Sequence, residues 1–423
     1  MKVIENPADL DLGAILRAGD RIVVGQACGE PTTLIEALIA QGREIRGLSA
    51  FTATSFSGLF TPEATESVML SSMGAIGALR SMTEAHALHV IPCHVSQVGP
   101  MIEAGDIGCD VAFIQVSPAD ARGNHSFGLV SDYVQAAVAA ARIVVAEVND
   151  RVPHTYGAML AGSDIDVGVH VSRSPVQVPP SRISDTDTAI ARFAAEYIGD
   201  GAVLQSGVGA VPDAILPLLR DRRDLGVHSG MVGDGLVDLV EAGVITNARK
   251  RIDRGVTVTG ALIGTDRLYG FAHRNLELRM CPTSYTHDGA VLHALDRLVT
   301  INSAVEVDLT GQVNAEQSGT AYLGGTGGQV DFVRGGTRSR GGHSLIVLPS
   351  TAKGGAVSRI TAALSGPVTT ARSDVDVVVT EFGAAELKGR NLAERASRLV
   401  AIAHPDFREE LARTADTIAR RGF

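Results

Sequence analysis

The sequence predicts an α/β protein made of two similar domains with largely parallel sheets. Short apolar runs typical of buried strands, at 87–91, 111–116 and 143–148, are separated by helical patterns at 74–85 and 132–141. Strands separated by helices form parallel sheets through right-handed crossovers. The length of 423 residues, at roughly 100–200 residues per domain, favours two domains over one.

A repeated segment also supports two domains of one design. The strand candidate 20–24 leads through a turn at Gly25 into a helix that starts near Pro31, and 203–219 repeats this order around Pro212. Proline is favoured early in a helix because its missing N–H had no partner there. Between the repeats, the proline-rich segment 172–187 resists both helix and central strand, so we predict a linker there. The predicted domains are 1–175 and 188–423.

Composition excludes several classes of protein. Hydrophobic residues make up 45% and charged residues 20% of the chain, and no apolar run approaches the roughly 20 residues that span a bilayer. The amino terminus reaches the acidic residues Asp9 and Asp11 before any apolar core of a signal peptide, so we expect a cytoplasmic protein. A net charge of −10 argues against nucleic acid as a partner, because binding to phosphate backbones needs a basic surface.

The cysteines and the metal-ligating residues indicate neither disulfides nor a metal site. The four cysteines lack the close pairing of a zinc site and the density of a disulfide scaffold, and we expect reduced, mostly buried thiols at Cys28, Cys93, Cys109 and Cys281. Elsewhere His, Cys, Asp and Glu show no ligand spacing, so no metal is predicted.

The segment 205–213, QSGVGAVPD, has the form of a ligand-binding turn. It follows the apolar run 201–204 and leads into a helical pattern at 214–219. Glycines let a backbone approach a ligand closely, and amides at a helix start attract oxygens. The same pattern also suits a plain structural loop, because it lacks the third glycine of a dinucleotide site and the Lys-Ser/Thr pair of a P-loop.

Two further segments have features of a site. The run 298–309 is predicted to be one strand with Asn302 and Glu306 on its polar face, and 324–329 contains four glycines whose amides could form an anion-binding nest, an oxyanion hole or a simple turn. His94, Ser96 and the loop 117–128 follow predicted strands. They lie either on the surface or on the substrate side of a cleft.

The segments 207–247, 301–316 and 324–335 resemble the acetyl-CoA hydrolase/transferase family, close to its 4-hydroxybutyrate CoA-transferase type. The resemblance implies the class I CoA-transferase architecture and a homo-oligomer, dimeric or larger. It also implies coenzyme A or acyl-CoA as substrate rather than as a permanently bound cofactor. A small carboxylic acid is the second partner in a transfer reaction.

The resemblance also assigns site residues. It implies coenzyme A binding by one group of residues: Gly207, Val208, Gly209, Ala210, Val211, Asn302, Gly325 and Lys353. The glycine loop of the proposed oxyanion site comprises Gly325, Gly327, Gly328 and Gln329, and the acyl or acceptor side includes His94 and Ser96.

One position departs from the family. Where its transferases have a nucleophilic glutamate, in the segment His228-Ser229-Gly230-Met231, this chain has Gly230. The glutamyl route, through an acyl-glutamyl anhydride and an enzyme–CoA thioester, cannot run on glycine. Glu306 is a candidate for a relocated nucleophile, although a structural role is favoured, and His228 is a candidate general base for water or a packing residue.

We therefore predict an acyl-CoA-processing enzyme that is hydrolytic, cleaving a thioester or a CoA-linked carbon–carbon bond. Gly230 leaves space that a carboxylate would fill, which suits water or a bulkier acyl group. The alternatives are CoA transfer between an acyl-CoA and a small carboxylic acid, and a non-catalytic CoA-binding protein.

Overall fold

The computed structural model describes residues 1–207 and 209–421. Contacts divide the chain into two compact units, each assembled from three segments. Unit 1 comprises Met1–Pro179, Gly230–Asp234 and Val256–Asp288, and unit 2 comprises Pro180–Ser229, Gly235–Gly255 and Gly289–Phe423. Both units contain a largely parallel sheet with helices, so the predicted α/β class is confirmed.

Unit 1 is built on a parallel sheet, here called the N-terminal sheet. Its eight described strands are, in spatial order, Lys2–Ile4, Val167–Val171, Ile143–Asn149, Val111–Val116, Arg21–Val24, Ser49–Phe51, Met69–Ser72 and His89–Val90. Its central strands Val111–Val116 and Ile143–Asn149 are buried along most of their length, which explains why apolar residues predominate in them rather than alternating with exposed polar residues. The helices of the unit are Thr32–Gln41, Leu79–Glu84, Val95–Ala104, Val134–Ala140, Asp266–Ala272 and Thr283–Thr286.

Short strands complete unit 1. Met159–Ala161 pairs with Asn124–Ser126, Met231–Val232 pairs with Ala261–Leu262, and a third sheet joins Thr257–Thr259, Leu278–Met280 and Tyr156–Gly157. The core beneath the N-terminal sheet includes Ile22, Leu34 and Phe113, which are fully buried. Burial of each such side chain stabilises the fold by about 1.5–3 kcal/mol.

Unit 2 has the C-terminal sheet. Its described strands are, in spatial order, Gly226–Val227, Val203–Ser206, Leu298–Ser303, His343–Val347, Val377–Thr380 and Gly383–Glu386, and only the last pairing is antiparallel. Smaller sheets comprise Val313–Asn314, Glu306–Asp308 and Ile360–Thr361, then Gln317–Ser318 with Ala321–Tyr322, and Thr351–Ala352 with Val357–Ser358. The helices are Asp185–Ala195, Ala210–Ile215, Gly235–Glu241, Gly289–His293, Gln329–Arg338, Leu392–Ile402 and Pro405–Arg421.

The first helix of unit 2 begins inside the segment predicted to be a linker. Residues 172–184 have neither helix nor strand, but Asp185–Ala195 is helical. Ser184 accepts a hydrogen bond from the Asp187 amide at 3.2 Å, and the Asp187 carboxylate accepts one from the Ser184 amide at 2.9 Å. This capping box fixes the start of the helix despite the polar sequence. No helix within the described residues is long and apolar enough to cross a membrane.

Candidate active site

Three adjacent parallel strands of the C-terminal sheet end at one edge, and the predicted coenzyme-binding positions follow them. Gly207 comes directly after Val203–Ser206, Asn302 lies near the end of Leu298–Ser303, and Lys353 follows His343–Val347 by six residues. Ligands of parallel sheets gather beyond the carboxyl ends of the strands. Gly207 and Asn302 therefore lie on the edge where a ligand is expected, whereas Lys353 lies on a separate hairpin farther along the chain.

Asn302 is held by the neighbouring strand. Its side-chain amide donates to Gln205 Oε1 at 3.2 Å, and Gln205 is nearly buried in Val203–Ser206. The glutamine fixes the orientation of the asparagine side chain, a role that was not predicted from the sequence. Its position directly before the glycine turn was the available signal.

The glycine turn after Val203–Ser206 has free space where side chains would project. A Cβ added at Gly207 or Gly209 would meet no atom within 4 Å among the described residues. Gly209 has φ +138°, a conformation that side chains rarely adopt, and the helix Ala210–Ile215 starts immediately after it. Ala210 and Val211 form its first turn, whereas the predicted contact at Val208 lies outside the described residues.

The second glycine-rich segment leads into a longer helix. Residues 324–328 precede Gln329–Arg338, and Gly327 has φ +54°. Gln329 is nearly buried, and its Nε2 donates to Thr370 Oγ1 at 3.1 Å. That bond anchors the helix start, so the amides of Gly325, Gly327 and Gly328 remain as the groups of this loop suited to an oxyanion.

Lys353 lies on an exposed hairpin. It follows the strand Thr351–Ala352 and has φ +51°, and Gly354 and Gly355 also have positive φ. Its ammonium group is solvated, which suits contact with a phosphate more than with a buried acyl group.

Glu306 does not lie on the predicted strand, and the prediction of a single strand over 298–309 is wrong. The strand ends at Ser303, and Glu306–Asp308 belongs to a separate small sheet. Glu306 Oε1 accepts hydrogen bonds from Asn314 Nδ2 at 2.9 Å and from the Ser365 amide and hydroxyl at 2.7 and 2.9 Å. Three donors on one oxygen of a nearly buried side chain indicate a structural role.

His228 and Gly230 occupy the point where the chain passes from unit 2 to unit 1. The His228 amide donates to Leu204 O at 3.0 Å, and the residue is fully buried. This burial favours packing over general-base catalysis, which stays a prediction. In unit 1, Gly230 O accepts from the Gly260 amide at 3.1 Å.

His94 and Ser96 lie beyond the edge strand of the N-terminal sheet. His94 precedes the helix Val95–Ala104, and its amide donates to Gln97 Oε1 at 3.1 Å. Both residues are partly exposed at the carboxyl end of His89–Val90, where the sequence analysis placed them. Their role in substrate binding stays a prediction.

A buried glutamate that was not predicted to be functional organises another loop of unit 1. Glu30 is fully buried, and its carboxylate accepts from the Ser55 hydroxyl at 2.6 Å, from the amides of Phe56 and Ser57 at 2.8 Å each, and from the Ser57 hydroxyl at 3.0 Å. Burial raises the pKa of this carboxyl, and the four donors act in the opposite direction. Glu30 thereby fixes the loop that follows the strand Ser49–Phe51.

The cysteines are free and buried, as predicted from their spacing. Burial raises the pKa of Cys28 to about 11 and that of Cys109 to about 12. Both thiols therefore stay protonated at neutral pH, so neither is a ready nucleophile.

Two family models match the chain. Residues 9–180 match the acetyl-CoA hydrolase/transferase N-terminal domain, and residues 264–415 match the C-terminal domain of the same name. The chain belongs to the acetyl-CoA hydrolase/transferase family. It is accordingly an enzyme that acts on acyl-CoA, and the resemblance described from the motifs is confirmed.

Similar proteins agree with this membership. The chain is 40% identical to the 4-hydroxybutyrate coenzyme A transferase of Clostridium kluyveri over 396 residues, which cover 92% of each chain. RipA from Yersinia pestis has a similar structure, with a TM-score of 0.93 and 33% identity over 99% of this chain and 98% of that one. The 4-hydroxybutyrate CoA-transferase from Porphyromonas gingivalis has a TM-score of 0.83 and 34% identity over 100% and 98%.

Proposed function

We propose that this family member hydrolyses a CoA thioester, and that water replaces the glutamate nucleophile of the family's transferases. The observation that carries the proposal is Gly230, which stands where the resemblance places that glutamate. Glycine has no group that can form an anhydride or hold CoA covalently. The bonding of Glu306 supports the proposal, because the candidate for a relocated nucleophile is already engaged.

The reaction needs one nucleophile and one leaving group. The oxygen of water attacks the thioester carbonyl and forms a C–O bond, and the tetrahedral intermediate then expels the CoA thiolate with the C–S electron pair. One proton from water passes to the thiolate, and the carboxylic acid product ionises into solvent. Backbone amides aimed at the developing oxyanion lower the barrier, since they are oriented before the charge forms.

For coenzyme A, we propose the edge of the C-terminal sheet as the binding site. The open backbone at Gly207 and Gly209 permits close approach, and Asn302 presents a fixed side chain beside it. The exposed Lys353 supplies a cation for phosphate, and the Gly325 loop supplies amides for the thioester oxygen. Coenzyme A is then a substrate that enters and leaves.

The first prediction concerns this binding site. The double variant Gly209→Val and Lys353→Ala is expected to bind CoA at least tenfold more weakly than the wild type. A hydrogen bond to a charged group contributes about 1.5–3 kcal/mol, and tenfold in Kd is about 1.4 kcal/mol. Calorimetric titration with CoA measures the change.

Lys2→Ala is the matched control, because Lys2 is an exposed lysine in the first strand of unit 1. It is expected to leave the Kd for CoA unchanged. Equal affinity of the double variant and the wild type would remove coenzyme A from this edge of the C-terminal sheet.

The second prediction tests the hydrolytic route itself. Intact-mass measurement after incubation with acyl-CoA is expected to show no covalent CoA on the wild-type protein. Borohydride, which reduces an enzyme–CoA thioester, should likewise leave the mass unchanged. A CoA adduct that maps to Glu306 would contradict hydrolysis by water and establish transfer through a relocated nucleophile.

CoA transfer to a small carboxylic acid is the second candidate function. The observation in its favour is the 40% identity to a CoA-transferase over 92% of both chains. Without a glutamate at position 230, transfer would need another nucleophile or direct attack by the acceptor carboxylate. Both routes produce a new thioester rather than free thiol, which distinguishes them from hydrolysis.

A further inference from the structure

In unit 1, Gly260 lies between Gly230 and the loop that carries Asp132. The Gly260 amide donates to Gly230 O at 3.1 Å, and Gly260 O accepts from the Ser131 amide at 2.9 Å. A Cβ added to Gly260 would lie 3.0 Å from Gly230 O, 3.4 Å from Cys281 O and 3.7 Å from Asp132 Cβ, so the backbone is closely packed here and only glycine fits without a shift. The Asp132 side chain and Gly230 O therefore both flank the direction in which a Gly260 side chain would project.

Asp132 is nearly buried, and its carboxylate can accept one more hydrogen bond than the described residues donate to it. Its Oδ1 accepts from the amides of Tyr133 and Val134, the latter at 3.3 Å, and its Oδ2 accepts from Gln26 Nε2. A carboxylate has about four lone-pair sites, and three donors occupy three of them. The fourth remains for a further donor.

Gln26 provides a second acceptor at the same place. It follows the central strand Arg21–Val24 at the carboxyl end of the N-terminal sheet and is 7% exposed. Its Oε1 has no hydrogen-bond partner among the described residues. A buried acceptor without a donor is costly, so a donor is expected beside it. Water can donate one hydrogen to Gln26 Oε1 and the other to Asp132.

We propose that Asp132 is the general base of the hydrolysis and that Gln26 orients the attacking water, which the unpartnered Gln26 Oε1 and the adjacent Asp132 carboxylate would hold. The inference rests on the hydrolytic function proposed above. A water that donates both hydrogens in this way has an oxygen lone pair free for the thioester carbonyl. As the C–O bond forms, Asp132 takes one proton, and it returns that proton to the departing CoA thiolate.

The electrostatics of Asp132 suit this role. Burial raises the pKa of its carboxyl to about 6, and the hydrogen bonds from Gln26, Tyr133 and Val134 act in the opposite direction. The titratable group beside it is the phenol of Tyr133, whose pKa is raised by burial and by the charge of Asp132, so it stays neutral. The carboxylate is then ionised at neutral pH and basic enough to accept a proton.

Asp132→Asn tests the proposal. Asparagine keeps an acceptor for the Tyr133 and Val134 amides, so the helix start at Val134 is preserved while the base is lost. We expect kcat for hydrolysis to fall at least about 100-fold with the Kd for CoA unchanged. The rate of hydrolysis by the wild type should fall as the pH drops below about 6, because the base becomes protonated. The variant should lose this acidic limb of the pH–rate profile.

Two further variants distinguish loss of the base from a general loss of folding stability. Gln26→Met keeps the size but removes the amide, and is expected to lower kcat about tenfold while the acidic limb is retained. Asp110→Asn is the matched control, since Asp110 pairs with Arg21 at the amino end of the same sheet and should leave the pH profile intact.

The outcomes separate the inference from the function. A wild type that releases thiol, together with an Asp132→Asn variant within threefold of its rate or with the same acidic limb, would overturn Asp132 as the base. A wild type that releases no thiol from any acyl-CoA would overturn the hydrolytic function and this inference with it.

Discussion

Gly230→Glu is expected to exchange CoA between an acyl-CoA and an added carboxylic acid, and to carry CoA on the new side chain. The substitution restores a carboxylate at the position where the resemblance places the nucleophile of the transferases. If the amides of the Gly325 loop already stabilise the oxyanion, only the nucleophile is missing. Groups of this kind act as a unit, so one substitution restores part of the transferase rate.

Intact mass and product analysis measure this result. A CoA adduct on residue 230 and a new acyl-CoA are both expected, whereas the wild type shows neither. Gly230→Gln is the matched control, since it has the same shape but a carboxamide does not act as the nucleophile. A folded Gly230→Glu protein that binds acyl-CoA but forms no adduct and exchanges no CoA would mean that the transferase-derived site assignments do not apply.

The sequence predicts the central strands well, because the burial of such a strand is evident from its own residues. The buried runs 111–116 and 143–148 appear as Val111–Val116 and Ile143–Asn149, and the predicted helix 132–141 appears as Val134–Ala140. A strand whose successive residues are apolar needs both faces buried, as happens in the central strands of a parallel sheet.

Element ends depend on contacts that the local pattern does not contain. The helix predicted over 74–85 begins only at Leu79, because Ser55 and Gly77 pair in a bridge and the Ala78 amide donates to Ser55 O at 2.7 Å. The alternation over 298–309 continues through the break after Ser303, so it predicted one strand where there are two.

In the site, too, residues defined by their own segment were predicted, whereas residues paired across the fold were not. Gly207 was identified from a turn after a predicted strand and Asn302 from the family resemblance, and the position of both follows from the order of the parallel strands. The pair of Gln26 and Asp132 joins residues 106 positions apart, and Glu30 reaches the loop at Ser55. Such pairs exist only after the sheet has brought separate loops together, and one sequence gives no signal for them.

Turnover of acyl-CoA with and without a carboxylic acid tests the central claim most directly. Acetyl-CoA, butyryl-CoA and succinyl-CoA are supplied in turn, and free thiol and new thioesters are quantified together. Hydrolysis by water predicts thiol release in the absence of any acid, at a rate that added acetate or 4-hydroxybutyrate leaves unchanged, with no new acyl-CoA. Thiol release that stays at the uncatalysed level in buffer, with new acyl-CoA formed once the acid is added, would contradict it.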